Sequence, residues 1–224
     1  LDLVGADGRR GLFDTVLAGL HSAPALIHHD GSQRGIQLEL TPPGASLLLG
    51  GPVGEVAGTS VDLETLVGPS ALRLHERLSE SPRWEDRFAL VTDALFARAD
   101  PRWAPRAEVL HAWRVLRGSH GRAPVHAVAA EVGWSTRHLG EQFRAEFGQS
   151  PKTTARVLRF QESRRLIVAG VPLVGVATRC GFADQSHLNR EWRALAGTSP
   201  TGWMHQDALA LRFVQDETTT EAAG

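Results

Sequence analysis

Two segments in the second half of the chain repeat one another, and no other feature restricts the fold as strongly. The first runs Val128-Ala129-Ala130-Glu131-Val132-Gly133-Trp134, continues from Ser135 to Phe143, and ends Gly148-Gln149-Ser150-Pro151. The second runs Val176-Ala177-Thr178-Arg179-Cys180-Gly181-Phe182, continues from Ala183 to Trp192, and ends Gly197-Thr198-Ser199-Pro200. Gly133 and Gly181 are 48 residues apart, whereas Leu139/Leu188, Phe143/Trp192, Gly148/Gly197 and Pro151/Pro200 are 49 apart. One extra residue in the second turn explains the difference.

Each copy reads as a helix-turn-helix. A short helix, about 125–132 in one copy and 173–180 in the other, puts small alanines, Ala129 and Ala177, where another helix must come close. The glycine that follows allows a positive-φ turn without a Cβ clash. Trp134 or Phe182 then plugs the core under that turn. Ser135 in one copy and Asp184 in the other cap the next helix by accepting its free N–H groups. In these second helices, about 135–147 and 185–196, Leu139 and Phe143, or Leu188 and Trp192, are four apart and face inward.

The residues between them face outward. They are Thr136, Arg137, Gly140, Glu141 and Arg144 in the first copy, and Gln185, Ser186, His187, Asn189, Arg190 and Arg193 in the second. A helix that enters the major groove needs side chains that donate and accept. Gln185 and Asn189 suit adenine, Arg137 and Arg190 suit guanine or a phosphate, and Glu141 suits cytosine. One such face alone is equally a solvated surface. Two at matched spacing are harder to dismiss, and the charge distribution points the same way. The formal net charge is only −1, but it is a sum of unlike parts. Residues 1–100 carry eight basic and fourteen acidic side chains, residues 101–207 fifteen and eight, and the last seventeen one and three. The half that holds the repeat is the basic one, which suggests a polyanion partner.

Between the copies the sequence predicts a single helix from Pro151 to about Val168, opened by a Ser-Pro cap. Its apolar positions Ala155, Val157, Leu158, Phe160, Leu166 and Ile167 can touch both copies. It is long enough to hold two recognition helices about one DNA turn apart, roughly 34 Å. Ser135, Lys152 and Arg156 are candidates for phosphate contact. Arg159, Arg164 and Arg165 divide between phosphates and acids such as Glu162.

The first sixty residues are rich in Gly and Pro. Gly35-Ile36-Gln37-Leu38-Glu39-Leu40 alternates with period two and reads as a strand, stopped by Thr41-Pro42-Pro43-Gly44. The Asp30-Gly31-Ser32 turn would form a hairpin with the His28 region. Leu12 to Leu20 reads equally as strand or short helix. From Asp62 the period becomes helical. Asp62 caps a turn through Val67, Gly68-Pro69 restarts the chain for a helix to about Leu78, and Ser81-Pro82 reads as an N-cap with proline at the first helical position. Trp84, Phe88, Val91 and Leu95 then form one apolar stripe, which packs on the chain's own sheet or makes a dimer seam. The expected fold class is α+β. A partial β-rich region spans 1–60, a helical hairpin 61–100, a linker 101–105, an all-α double helix-turn-helix domain 106–207, and a tail 208–224.

The run from about Ala104 to Trp203 resembles the DNA-binding domain of AraC/XylS-type bacterial transcription regulators. The most specific stretch is Gly181-Phe182-Ala183-Asp184-Gln185-Ser186-His187-Leu188-Asn189-Arg190-Glu191-Trp192-Arg193, followed by Gly197-Thr198-Ser199-Pro200; Ala129 to Leu139 matches the first unit. The resemblance implies sequence-specific promoter binding through two helix-turn-helix units on one chain, usually behind a sensing or dimerising domain. It implies double-stranded DNA as partner, with RNA polymerase and a small-molecule effector as further ones, in a monomer or homodimer. Gly140 and Glu141 depart from the long polar or basic residues frequent in the family, which favours the second unit as the stronger reader. Trp203 stands where an aromatic followed by arginine is usual. Ala18-Gly19-Leu20-His21, Pro24-Ala25-Leu26-Ile27, Gly35-Ile36-Gln37-Leu38, Val61-Asp62-Leu63 and Leu66-Val67-Gly68 are similar to the later part of a β-rich sensor domain of actinobacterial AraC-type regulators. The opening strands of that domain are expected to be missing.

Other chemistries fit less well. His21, His28, His29 and Asp30, with Glu39, could be taken for a cupin-like metal site, making the chain a metal-binding enzyme or sensor fused to a DNA-binding module. Adjacent histidines on a strand point to opposite faces, so His28 and His29 cannot both ligate. No metal and no other cofactor is expected. A DNA-repair methyl acceptor needs a reactive thiolate, and the single cysteine, Cys180, sits where a small buried apolar residue belongs. His138 and His187 have no nucleophile to serve. No apolar run approaches the roughly 18 residues of a membrane span, and no signal peptide is visible. The expectation is a cytoplasmic, non-enzymatic regulator.

Overall fold

The computed structural model of the chain describes residues 1–4, 10–28 and 35–205, and its fold is α+β. Packing groups the chain into two compact units, Leu1–Ala155 and a second that starts at Arg156. In the first unit β1 (Asp2–Val4) lies between β2 (Arg10–Leu12) and β4 (Leu26–His28) in an antiparallel sheet, with Asp2 opposite both Leu12 and His28. β3 (Val16–Ala18) pairs antiparallel with β5 (Ser60–Asp62), with Val16 opposite Asp62. The ambiguous stretch 12–20 therefore joins the end of one strand to another.

The strand expected over 35–40 does not form. Among the described residues they join no ladder, and Leu38 and Leu40 remain exposed. Alternation specifies a strand only where an edge is free to satisfy its backbone groups. The Asp30-Gly31-Ser32 turn, His29 and the tail lie outside the described residues. At Thr41-Pro42-Pro43-Gly44, where the sequence suggests only a stop, the chain instead enters a helix, α1 (Pro42–Leu49). Thr41 caps it by accepting from the Gly44 N–H at 3.2 Å, with proline at the first turn. Gly50 then closes it in the left-handed region, at φ 79°.

Asp62 caps the short helix α2 (Leu63–Val67), accepting from the Glu64 N–H at 2.9 Å. α3 (Ser70–Glu80) and α4 (Trp84–Arg98) form the expected helical hairpin. Ser81 closes α3 instead of opening α4. Its hydroxyl donates to the Arg77 carbonyl at 2.9 Å, and Arg87 Nε donates to the Ser81 carbonyl at 2.7 Å. α4 packs on α1 and α3 and buries Val91, while Trp84 and Phe88 stay exposed.

Next comes the first helix-turn-helix copy, made of α5 (Ala107–Gly118), α6 (Val125–Glu131), α7 (Thr136–Phe147) and the start of α8 (Pro151–Val168). A 3-10 turn at Val53–Val56 packs against the C-terminal end of α7. The approach is backbone to backbone. A Cβ on Gly54 would lie 3.0 Å from the Ala145 carbonyl oxygen, and one on Gly148 would collide with Ala57.

The second unit contains the rest of α8, then α9 (Leu173–Arg179), α10 (Gln185–Ala196) and α11 (200–205). Its core joins Leu166, Ile167, Val176, Ala177, Cys180, Phe182, Leu188 and Trp192, with Phe160 and Trp203 packed against them. Trp192 is fully buried, and its indole N–H donates to the Ser163 hydroxyl at 2.8 Å. Among the described residues, no helix is long and apolar enough to cross a membrane.

Candidate nucleic-acid interface

The two copies build their outward helices by the same local rules. In the first, Val128 and Ala129 of α6 are buried, and Gly133 makes the turn at φ 71°. Ser135 caps α7, its hydroxyl accepting from the His138 N–H at 3.1 Å. Leu139 and Phe143 are 0% exposed, which fixes the rotation of α7 about its axis. Trp134 is only half-buried and sits edge-on against His138, so it covers the turn and does not plug it.

That rotation leaves Thr136, Arg137, Glu141 and Arg144 exposed, with Gly140 half-buried between them. A concavity of about 610 Å³ lies over this face, lined by Thr136, Arg137, Glu141, Arg144, Ser150 and Lys152 among others. Ser150 caps α8 by accepting from the Thr153 N–H at 3.1 Å, and Lys152 sits in the same first turn. Positive helix-end dipole and two cations, Arg144 and Lys152, converge there, which is suitable for a phosphate. Neither cation forms an ion pair among the described residues. Arg137 does: its Nε donates to Glu141 at 2.9 Å, one turn along the helix. That hydrogen bond holds the Glu141 carboxyl below the usual carboxylate range.

In the second copy Val176 and Ala177 are buried, Gly181 turns at φ 73°, and Phe182 is buried beneath it. Asp184 caps α10, accepting from the His187 N–H at 2.6 Å. Leu188 and Trp192 are 0% exposed. Gln185, Ser186, Arg190 and Arg193 are exposed, and His187 and Asn189 are half-buried beside them. The three exposed kinds of group (amide, hydroxyl and guanidinium) present both donors and acceptors.

Two contacts were not legible in the sequence. Arg156, a phosphate candidate, donates from Nε to Glu191 at 2.8 Å. His187, a base-reading candidate, accepts the Ala183 N–H on Nδ1 at 3.3 Å. The first depends on which helices face each other, for which spacing along one segment carries no signal; the second is a local contact four residues apart, set by the ring's orientation at the start of α10. His21, His28 and Glu39 of the weighed metal site belong to no cluster of three or more metal-ligating side chains among the described residues. Asp30 lies outside those residues.

Residues 107–206 match the family model described as a helix-turn-helix domain. Over 127 residues the chain is 32% identical to a probable bifunctional transcriptional activator/DNA repair enzyme AlkA of Mycobacterium tuberculosis, covering 55% of this chain and 25% of that protein. It is 33% identical over 57 residues to the uncharacterized HTH-type transcriptional regulator YbfI of Bacillus subtilis, covering 25% of this chain and 21% of the relative. The probable thc operon regulatory protein of Rhodococcus erythropolis is 26% identical over 173 residues, covering 65% of this chain and 52% of that one. The chain thus spans from about a fifth to about half of the length of these relatives. No solved structure matches it. With two capped helix-turn-helix copies inside the matched residues and transcription regulators among the relatives, residues 107–206 form a helix-turn-helix domain of the AraC type.

Proposed function

We infer that the chain is a sequence-specific, non-enzymatic transcription regulator that places α7 and α10 in successive major grooves of promoter DNA. The observation that carries this reading is the matched construction of the two helices. Each is capped at its N-terminus and pinned by two fully buried side chains, with polar and cationic groups left outside. Gln185, Ser186, Asn189, Arg190 and Arg193 read base edges from α10, with His187 beside them. Thr136, Arg137, Glu141 and Arg144 do so less strongly from α7, because Glu141 already occupies Arg137. Ser135 and Lys152 approach phosphates. Cytoplasmic location, contact with RNA polymerase, a small-molecule effector and a monomeric or homodimeric state accompany this reading.

Burial of Cys180, 1% exposed, argues against thiol chemistry and so supports the non-enzymatic reading. The test is a specificity ratio at fixed salt. Duplexes selected by the chain from a randomised pool should bind at least about a thousandfold tighter than random duplex. Equal affinity for both, with a steep salt dependence, would reduce the chain to a non-specific polyanion binder.

A further inference from the structure

The linker helix α8 carries an arginine that the sequence assigns to phosphate and that the structure turns the other way. Glu191 stands on α10 between Arg190 and Trp192, and its carboxylate accepts from Arg156 Nε at 2.8 Å. The two side chains are only 30% and 18% exposed. The other Glu191 oxygen lies 4.0 Å from His187 Nε2. His187 Nδ1 accepts the Ala183 N–H, so the neutral ring carries its proton on Nε2, the nitrogen nearest Glu191. The ring also stands edge-on to Phe182, with centroids 5.4 Å apart. Three residues beyond Arg156 on the same helix, the Arg159 guanidinium lies over the Phe182 ring at 5.7 Å. α8 therefore holds the second unit at two points, the recognition helix through Arg156 and the turn before it through Arg159.

We propose that Arg156 and Glu191 are positioning residues for DNA reading: their ion pair sets the rotation of α10, and with it the direction of Asn189, Arg190 and Arg193. The proposal rests on the reading of α10 as a base-reading helix. The pair is placed for this task. Glu191 is the immediate neighbour of Arg190, so any roll of α10 that breaks the pair also swings Arg190. Half-buried charges held this way resist rotation, because separating them leaves each without its partner in a partly desolvated site. His187 belongs to the same chain of contacts. Both its ring nitrogens face groups of the protein, so it orders the turn while its neighbours address the bases.

The experiment uses the full chain, a duplex enriched from a randomised pool by the wild type, and a random duplex, titrated at several salt concentrations. Glu191→Gln is nearly isosteric and removes no positive charge. As a positioning variant it should weaken binding to the enriched duplex by about tenfold or more, leave the random duplex unchanged, and keep the wild-type salt slope. Arg156→Ala should do the same, and the exchange R156E/E191R should recover part of the loss. A phosphate contact behaves in the opposite way. Glu191→Gln would release Arg156 and tighten binding to both duplexes, while Arg156→Ala would weaken both and lower the salt slope by about one. That pattern overturns the proposal and leaves the base-reading function standing. If the pool yields no enriched duplex for the wild type, the functional reading itself fails, and the positioning role falls with it.

Discussion

The Gln149 side-chain amide donates to the Leu20 backbone carbonyl at 2.6 Å, joining the N-terminal region to the turn just past α7. The second copy of the repeat has Thr198 at this position, whose shorter side chain could not span such a gap. The bond lies beside the Gly54 and Gly148 backbone contact, and Gln149 is buried. Gln149→Ala should cost about 1 kcal/mol, since the half-buried Leu20 carbonyl loses one of its two donors and keeps the Gly58 N–H at 3.0 Å. Gly54→Val should act more widely by wedging the 3-10 turn away from α7. Amide hydrogen exchange checks both: protection should fall at 53–57 and 144–149 together. Loss confined to one side of the contact would show that the two segments do not support each other.

Under the proposed function, the Glu141 ion pair limits how much of the Arg137 charge reaches DNA. The Arg137 hydrogen bond lowers the Glu141 pKa, so the pair stabilises the helix above the ordinary carboxylate pKa and is lost as pH falls through the lower folded value. Both groups are exposed, so the effect on folding is small. On DNA it should be larger. Glu141→Gln releases Arg137 and removes an anion from the groove face, steepening the dependence of log affinity on log salt by about one. An unchanged slope in fluorescence-anisotropy titrations would mean that Arg137 faces no phosphate even when free.

The repeat made the helix-turn-helix half legible because its signals are local. A glycine, a capping Ser135 or Asp184, and two apolar residues four apart specify each unit without reference to the rest of the chain. The N-terminal half depends on pairing between distant segments, and there local signals misled. Residues 35–40 alternate correctly but have no partner edge. Ser81 carries the features of an N-cap, yet its hydroxyl satisfies the carbonyl behind it. Thr41-Pro42 has the same signature and does open a helix, so the motif alone does not say which end of a helix it marks. The ion pairs Arg137–Glu141 and Arg156–Glu191 show the same division. The first follows from a four-residue spacing, whereas the second needed the packing of α10 on α8.

Caps provide a direct comparison of the two units. Ser135→Ala and Asp184→Ala each remove one acceptor from the first turn of α7 or α10 and should cost about 1 kcal/mol. The loss should be local, with faster exchange of the His138 amide in one variant and the His187 amide in the other. Asp184→Asn keeps the acceptor and should retain most of the stability. Equal destabilisation by Asp184→Asn and Asp184→Ala would point to the charge at the helix end, not the hydrogen bond, as the stabilising term.

The bond from Trp192 to Ser163 joins α10 to α8 inside the second core, where water does not replace a lost partner. Ser163→Ala leaves a buried indole N–H unsatisfied and should cost about 1–3 kcal/mol. Trp192→Phe keeps an aromatic ring against Phe160 and Trp203 but removes the donor. If the hydrogen bond is what couples these positions, Ser163→Ala should cost much less in the Trp192→Phe background than in the wild type. Urea unfolding of the four proteins, followed by far-UV circular dichroism, gives the coupling energy, expected to be about 1 kcal/mol. Additive losses would show that Ser163 acts through the space it fills, and that the register of α10 on α8 comes from ring packing and the Arg156 ion pair alone.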